Sequence, residues 1–288
     1  MSELAAAALE QPSNYRDVYD LGSTVIYASK ADPRFSFCLY VPPTLAQNGP
    51  APELIVAMHG TSRFSFLEFR DAFAEFGRWN NCIILCPLFP VGVCGDDNRN
   101  GYKLMYEADI RYDKALLDMV EQVSGMYGMA FEKFALFGYS GGGQFAHRFY
   151  ILHPEKLWAV SIGASGSVTL LDTEKQWWVG VGDLAERFGR TLNIPAMREV
   201  DVHMVVGDAD LETWEITHRP GGKLWMEGAN DAGATRPERL KSLQRSFEAN
   251  GIDVQFDLVN GVSHDRLKCV GKVKEFFHTA LTRRRSAN

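Results

Sequence analysis

The chain has 288 residues, of which 46% are hydrophobic and 23% are charged. These fractions are close to the globular average and exclude a disordered or fibrous protein, and the length suits one large α/β domain. The formal net charge of −6 argues against a nucleic-acid partner, because binding one would require a basic face on the protein. No run approaches the ~20 apolar residues that cross a bilayer, so we expect a soluble protein without a membrane partner.

The N-terminal residues 1–20 are predicted to be a lead-in to a single domain over residues 21–288. The lead-in has no basic stretch before its alanines, and two glutamates bracket them, so we do not interpret it as a secretory signal. The five cysteines are an odd number, and most lie in strand-like apolar runs, which is typical of reduced thiols in a cytoplasmic protein. A disulfide between Cys86 and Cys94 is the less favoured alternative.

Short apolar runs alternate with helical patterns along the chain. The first two runs, 23–28 and 35–42, have the alternating polarity of an antiparallel pair. Further strands are predicted over 53–60, 82–90, 134–140, 157–165, 200–208 and 254–265, the last including its loop. Helices are predicted over 66–79, 106–127, 142–154 and 237–251, and then to about Leu281. This alternation predicts an α/β fold with a mostly parallel central sheet and helices on both faces.

Two segments interrupt the alternation. Residues 166–199 contain Trp177 and Trp178, and residues 211–236 contain Trp214. Each segment leaves the end of a predicted strand, where open α/β sheets place their binding crevice. One interpretation is that they form a small cap or a pocket wall. The alternative is that they are ordinary surface loops whose tryptophans cover the core.

The sharpest motif is the pentad Gly138-Tyr139-Ser140-Gly141-Gly142, between a buried strand and a helix. A turn of this kind is too tight for side chains at its flanks, hence the glycines, and it exposes the serine. The pattern G-x-S-x-G is common by chance, but the strand–turn–helix context favours Ser140 as a nucleophile over a helix-capping serine.

At these residues the chain resembles the α/β-hydrolase superfamily. The resemblance rests on residues 59–62 (HGTS), 138–142 (GYSGG), 207–210 (GDAD) and 261–265 (GVSHD), each after a predicted strand. It covers most of the chain and is nearest to the esterase and polyhydroxyalkanoate-depolymerase-like branch. It implies an α/β-hydrolase fold and a serine hydrolase whose serine, acid and histidine follow in that chain order.

A serine hydroxyl needs a base to accept its proton. Of the seven histidines, His264 alone lies in a loop after the final predicted strand, so it is favoured as the base over the alternative of a surface-loop histidine. The acid that orients this base is expected after the preceding strand, where Asp208 and Asp210 both qualify. The family's Gly-x-x-Asp spacing matches Gly207 and Asp210, which favours Asp210.

The tetrahedral intermediate of acyl transfer carries an oxyanion, which needs N–H donors. Gly141 follows the nucleophile at the N-terminus of a predicted helix, where the helix dipole favours negative charge. By resemblance to the family, the backbone amide of Thr61 is the second donor.

The substrate pocket is less sharply indicated. The candidates for its lining are Ser62, Tyr139, Trp177, Trp178 and Trp214, although the aromatic residues could equally belong to the core. A polar substrate could instead contact the loop after the predicted strand 82–90, through Asp96, Asp97, Arg99 and Lys103. The carboxylates there lack regular metal-ligand spacing, so no metal and no cofactor is implied.

These residues together predict a serine hydrolase that cleaves a carboxylic ester through an acyl-enzyme, with Ser140, His264 and Asp210 as its triad. The expected partner is a small-molecule ester, and a homo-oligomer is left open beside a monomer. The alternatives are an amidase or peptidase, or a lyase or acyltransferase, that uses the same triad. A binding protein on an inactive scaffold is less favoured, because binding would not require all three residues.

Overall fold

The computed structural model describes residues 19–47 and 50–287, so the predicted lead-in lies outside it except for residues 19 and 20. The strands of the described chain are β1 (Gly22–Ala28), β2 (Ser36–Val41), β3 (Glu53–Met58), β4 (Cys82–Leu88), β5 (Tyr106–Glu107), β6 (Ile110–Arg111), β7 (Phe134–Tyr139), β8 (Leu157–Gly163), β9 (Asp201–Gly207) and β10 (Val254–Val259). Its α-helices are α1 (Ser65–Asn80), α2 (Tyr112–Tyr127), α3 (Gly141–Leu152), α4 (Leu184–Phe188), α5 (Ile194–Arg198), α6 (Arg236–Glu248) and α7 (Arg266–Ala287).

Eight of these strands form one sheet in the order β1-β2-β4-β3-β7-β8-β9-β10. β2 pairs antiparallel with β1 and with β4, and every other neighbouring pair is parallel. The predicted α/β fold with a mostly parallel sheet is therefore confirmed. The central strand β7 is buried along its whole length and β3 at all but its first residue, because helices cover both faces, which explains their unbroken apolar sequences.

The helices pack on the sheet through narrow apolar stripes. In α1 the buried phenylalanines Phe66, Phe69, Phe73 and Phe76 recur at three- and four-residue spacing, which places them on one face of the helix. That face packs on β2 and β4, and α1 also contacts α7, while α3 packs on β7 and β8.

One predicted helix begins later than the sequence pattern indicates. Residues 106–111, predicted to open the helix over 106–127, form the hairpin β5–β6 instead. The Glu107 carboxylate there accepts hydrogen bonds from Asn98 Nδ2 at 2.7 Å and from the Tyr112 hydroxyl at 2.8 Å. These contacts outside the hairpin override the local helical periodicity.

The cysteines of the chain are all free thiols. Cys86 is buried in β4 while Cys94 is exposed in the loop that follows, so the alternative disulfide between them is not formed. None of the helices in the described residues is long and apolar enough to cross a membrane.

The topology brings four loops to one edge of the sheet. Strands β3, β7, β9 and β10 run parallel to one another, so their carboxyl ends meet at the same edge. β3 lies between β4 and β7, and the chain therefore leaves β3 and β7 in opposite directions across the sheet. Such a reversal opens a crevice at the strand ends, where α/β sheets bind their ligands.

Candidate active site

Ser140 occupies the turn between β7 and α3 with a strained backbone, at φ 59° and ψ −117°. A Cβ atom built on Gly138 would lie 2.0 Å from the carbonyl oxygen of Gly142, and one built on Gly142 would lie 2.4 Å from that of Met58. Only glycine fits at these two positions, because the turn presses α3 against the ends of β3 and β7. A non-glycine residue in such a conformation costs about 1–3 kcal/mol, and the strain presents the Ser140 side chain at the edge of the sheet.

The Gly141 amide lies beside the loop that follows β3. Gly141 is the first residue of α3, so its N–H has no partner within the helix and lies at the positive end of the helix dipole. A Cβ atom on Gly141 would lie 2.7 Å from Thr61 Oγ1, which places the Thr61 side chain next to Gly141. The neighbouring Gly60 N–H donates to Ser65 Oγ at 2.8 Å and is already satisfied. Thr61 and Gly141 are thus brought together, as the two predicted donors would require.

His264 is held by Asp210. The distance from His264 Nδ1 to Asp210 Oδ2 is 2.6 Å, and the Tyr139 ring packs against the imidazole at 5.2 Å between centroids. Asp210 is only 1% exposed, and its other oxygen accepts a hydrogen bond from Arg236 Nη1 at 2.9 Å. Both oxygens of this buried carboxylate therefore accept from cationic or imidazole N–H groups, which fixes the orientation of the His264 ring.

Ser140 and His264 open onto one small cavity of about 150 Å³. Its lining also includes Thr61 and Ser62 after β3, Tyr139 at the end of β7, and Glu215 after β9, so the loops after four strands contribute to a single space. A carbonyl group that enters it meets the serine, the histidine and the start of α3 together.

Asp208, the alternative acid, hydrogen-bonds to the backbone instead of to His264. Its Oδ1 accepts a hydrogen bond from the Gly261 backbone N–H at 2.7 Å and so ties the loop after β9 to the loop after β10. The His264 loop depends on that link for its position, while the imidazole itself contacts Asp210.

The comparisons with known proteins rest on structure. No family model matches the chain, and no curated protein matches it in sequence. Poly(aspartic acid) hydrolase-1 from Sphingomonas sp. KT-1 superposes with a TM-score of 0.71 at 18% identity, over 88% of this chain and 97% of that one. LpqC, a poly(3-hydroxybutyrate) depolymerase from Bordetella parapertussis, superposes with a TM-score of 0.68 at 19% identity, over 89% of each chain. The chain has the α/β-hydrolase fold.

A ferulic acid esterase is also similar, with a TM-score of 0.57 and 16% identity over 90% of this chain and 95% of that one. In all three comparisons nearly the whole chain is matched. The α/β-hydrolase fold therefore extends over most of this chain.

Two of the other histidines, His59 and His147, are buried and structural. His59 is fully buried, donates from Nδ1 to the Gly60 carbonyl at 2.9 Å and accepts the Phe89 N–H at Nε2 at 3.0 Å. Burial and the nearby Arg63 lower the pKa of His59 to about 3. His147 is likewise buried, with its pKa well below the usual range because of burial. Such imidazoles stay neutral and carry no proton in catalysis.

A second Ser-His-Asp arrangement lies inside the sheet. Ser161 Oγ is 2.9 Å from His203 Nδ1, and His203 Nε2 is 3.0 Å from Asp257 Oδ2. Ser161 and His203 are fully buried between β8, β9 and β10, so no substrate carbonyl reaches the hydroxyl. Hydrogen bonding of buried polar groups explains this arrangement.

A larger cavity of about 500 Å³ adjoins Ser140. The loop segment 211–236 supplies much of its wall, including Trp214 and Trp225, both well exposed. Segment 166–199 instead packs mainly on the core through α4 and α5, and contributes only Gly166 and Ser167 to this cavity.

The five candidate pocket residues divide accordingly. Ser62 and Tyr139 line the small cavity, and Trp214 lines the large one. Trp177 and Trp178 line neither, because they are 4% and 6% exposed and their indole N–H groups donate to the carbonyls of Leu104 and Leu224. They belong to the core, where apolar packing and a satisfied N–H hold them.

Two charged residues at this site, Arg236 and Glu215, have no local signal in the sequence. Arg236 opens α6 and binds both Asp210 and Glu215, the latter at 2.5 Å. Arg236 is separated from Asp210 by 26 residues, and the run Thr235-Arg236-Pro237 resembles an ordinary helix start. Within the described residues no group of three metal-ligating side chains comes together.

Proposed function

We propose that the chain is a serine hydrolase that cleaves a carboxylic ester through an acyl-enzyme intermediate. The observation that carries this proposal is a strained Ser140 that opens onto the same small cavity as His264, whose ring is held by the buried Asp210 at 2.6 Å. Strain of this kind persists only where the surrounding structure enforces it. A binding protein would need neither the strained serine nor the paired imidazole.

In the first half-reaction Ser140 Oγ attacks the ester carbonyl carbon, and His264 Nε2 accepts the hydroxyl proton. The carbonyl electron pair moves to oxygen, and the amides of Gly141 and Thr61 donate to that oxyanion at the N-terminus of α3. Removal of one such donor typically costs about 3 kcal/mol in the barrier. Collapse of the intermediate breaks the ester C–O bond, and the leaving alkoxide takes the proton from His264.

In the second half-reaction water attacks the acyl-enzyme and gives a proton to His264. Collapse of the second intermediate releases the carboxylic acid, and the proton returns to Ser140 Oγ. Asp210 keeps the imidazole in the tautomer that presents Nε2 to the serine and stabilises the imidazolium that forms twice in each cycle.

The similar structures support hydrolysis as the reaction class, since all three are named as hydrolases, a depolymerase or an esterase. Esters are favoured over amides because an alkoxide leaves more readily than an amine. The same proposal places the enzyme in the cytoplasm, which is supported by five free thiols, four of them buried.

Pre-steady-state hydrolysis of 4-nitrophenyl butyrate tests the proposal, with 4-nitrobutyranilide as the matched amide. We expect a burst of nitrophenolate equal to the enzyme concentration, steady turnover of the ester and none of the anilide. Ser140→Ala should abolish both phases, while Ser161→Ala, which alters the buried second arrangement, should keep them. A folded wild type that hydrolyses neither compound would overturn the proposal, and equal cleavage of both would make the protein an amidase.

A further inference from the structure

The large cavity beside Ser140 is basic, although the protein as a whole carries a net charge of −6. Its lining contains one carboxylate, Glu215, against five cationic side chains. The cations are Arg99, Lys103, Arg219, Lys223 and Arg236. Because they come from three separate parts of the chain, the fold assembles this charge at one place.

Only one of these cations is fully neutralised by the protein. Arg236 binds both Asp210 and Glu215. Lys223 has a loose contact of 3.7 Å with Asp96. Arg99 and Arg219 form no ion pair with any carboxylate of the described residues. Several positive charges therefore face the cavity without a matching negative charge.

Lys103 is the buried member of the set. It is 8% exposed, and a Cβ atom built on Gly141 would lie 3.0 Å from its Cε, so its side chain passes beside the predicted oxyanion donor. Its Nζ donates to Asn100 Oδ1 at 2.8 Å, and its carbonyl accepts from Arg148 Nη1 at 2.6 Å. Among the described residues its ammonium group has no carboxylate partner.

Most of the charged groups around Lys103 lower the pKa of its ammonium group. Burial, first, and then Arg63, Arg148 and Arg99 together lower the pKa of Lys103 to about 7, against the opposing effect of Glu215. A protein seldom buries an uncompensated lysine, since burial of an unpaired charge is costly. An anionic ligand in the cavity would compensate it.

Two further side-chain nitrogen atoms belong to residues that line the cavity. The Nε atom of Arg236 and the Nε2 atom of His218 are buried and have no hydrogen-bond partner among the described residues. Arg236 as a whole is 2% exposed. Buried polar atoms are normally satisfied, so Arg236 and His218 add two unsatisfied nitrogens next to the cavity.

We propose that the substrate ester also carries a carboxylate group, which the cavity holds through Lys103, Arg99 and Arg219 while the ester carbonyl lies at Ser140. The inference rests on the proposed ester hydrolysis and adds its substrate class. A volume of about 500 Å³ suits a small organic molecule. The apolar walls of Trp214 and Trp225 would cover the carbon skeleton between the carboxylate and the ester.

Two matched substrate pairs test the proposal, one for each side of the ester. The first pair is 4-acetoxybenzoate and its methyl ester, which differ by a carboxylate on the alcohol side. The second is mono-4-nitrophenyl adipate and its methyl ester, which differ on the acyl side. We expect kcat/KM to favour the anionic member of at least one pair on the order of tenfold, the effect of one hydrogen bond to a charged group. The preference should fall as salt is added.

Variants assign the preference to the cavity. Arg219→Gln alters an exposed side chain and should reduce the preference severalfold. Lys103→Met should reduce it most. In the wild type the ratio of anionic to neutral kcat/KM should fall as pH rises through about 7, where Lys103 loses its proton, and this dependence should vanish in Lys103→Met. Lys272→Gln removes an exposed charge on α7, far from the cavity lining, and should leave the ratio unchanged.

The failures of the two proposals are distinguishable. If the neutral esters are hydrolysed and neither anionic ester is preferred, the carboxylate inference is overturned and ester hydrolysis stands. If no ester is hydrolysed, calorimetric titration of 4-acetoxybenzoate into Ser140→Ala still measures whether the large cavity binds a carboxylate. Binding that is lost in Ser140→Ala/Arg219→Gln supports the anion site, whereas no binding overturns it.

Discussion

Asp210→Asn is the substitution whose effect follows most directly from the geometry. Asp210 Oδ2 accepts from His264 Nδ1 at 2.6 Å, and Oδ1 accepts from Arg236 Nη1 at 2.9 Å. An asparagine has one acceptor oxygen and one NH2 donor, so its NH2 must face a donor in either orientation. If it faces His264, the imidazole loses the acceptor that fixes its tautomer.

The magnitude has two parts. The wrong tautomer lowers kcat by about 10⁴, the effect seen when this acid is changed to asparagine in a serine triad, which equals about 5.5 kcal/mol in the barrier. Loss of one partner of a buried ion pair costs about 3–5 kcal/mol of folding stability. Glu215 still binds Arg236 at 2.5 Å, so we expect the lower end of that range.

Asp208→Asn is the matched control. Asp208 accepts the Gly261 N–H at 2.7 Å, and an asparagine oxygen can accept the same bond. We expect a kcat within about threefold of wild type and a loss of no more than about 0.5 kcal/mol in stability. The assay is kcat for 4-nitrophenyl butyrate at a temperature where circular dichroism shows each variant folded. A near-normal kcat in Asp210→Asn, together with a thousandfold loss in Asp208→Asn, would refute the reasoning and make Asp208 the acid.

Two further predictions concern stability. Gly142→Ala would place a Cβ atom 2.4 Å from the Met58 carbonyl oxygen, so thermal denaturation should show that the unfolding free energy falls by at least about 1–3 kcal/mol. The control is Gly125→Ala on the exposed face of α2, which has open space around it and should raise the unfolding free energy by about 0.5–1 kcal/mol. Equal effects of the two substitutions would contradict the close packing of the turn. The second prediction is a pH dependence: burial lowers the pKa of Lys103 to about 7 in the folded state, while an unfolded lysine titrates near 10.4. Between these two pKa values the unfolded chain binds more protons than the folded chain. The unfolding free energy of wild type relative to Lys103→Met should therefore rise from pH 7 to about 10 and be flat below pH 7. Urea denaturation at pH 6, 8 and 9.5 measures this difference, and a difference that stays constant would argue against a neutral buried lysine.

Much of the fold could be predicted from the sequence because its signals are local. The unbroken apolar runs of β3, β4, β7, β8 and β9 mark strands buried on both faces, and this burial is set by the order of strands and helices. The strand–turn–helix context of Ser140 is local too, since the glycines at 138 and 142 are required by backbone contacts within the turn and with β3. The hairpin at residues 106–111 is not predicted by the helical periodicity, because Glu107 forms side-chain hydrogen bonds with Asn98 and Tyr112 on either side of it.

The site beyond Ser140 depends on contacts that local pattern does not encode. Trp177 and Trp214 lie in segments of similar composition, yet one is buried in the core and the other is 75% exposed on the cavity rim. Arg99 and Lys103 were noticed as polar-contact candidates, but Arg219 and Arg236 join them only through the folding of segment 211–236. Charge that is assembled from distant loops is visible only in three dimensions.

The central claim is that Ser140 is the nucleophile, and fluorophosphonate labelling followed by intact mass and peptide mapping tests it most directly. Wild type should gain one phosphonyl group on Ser140, and Ser140→Ala should gain none. Two matched controls, Ser62→Ala in the same small cavity and Ser161→Ala in the buried second arrangement, should label like wild type. A folded wild type that stays unlabelled, or a label that persists in Ser140→Ala, would contradict the account.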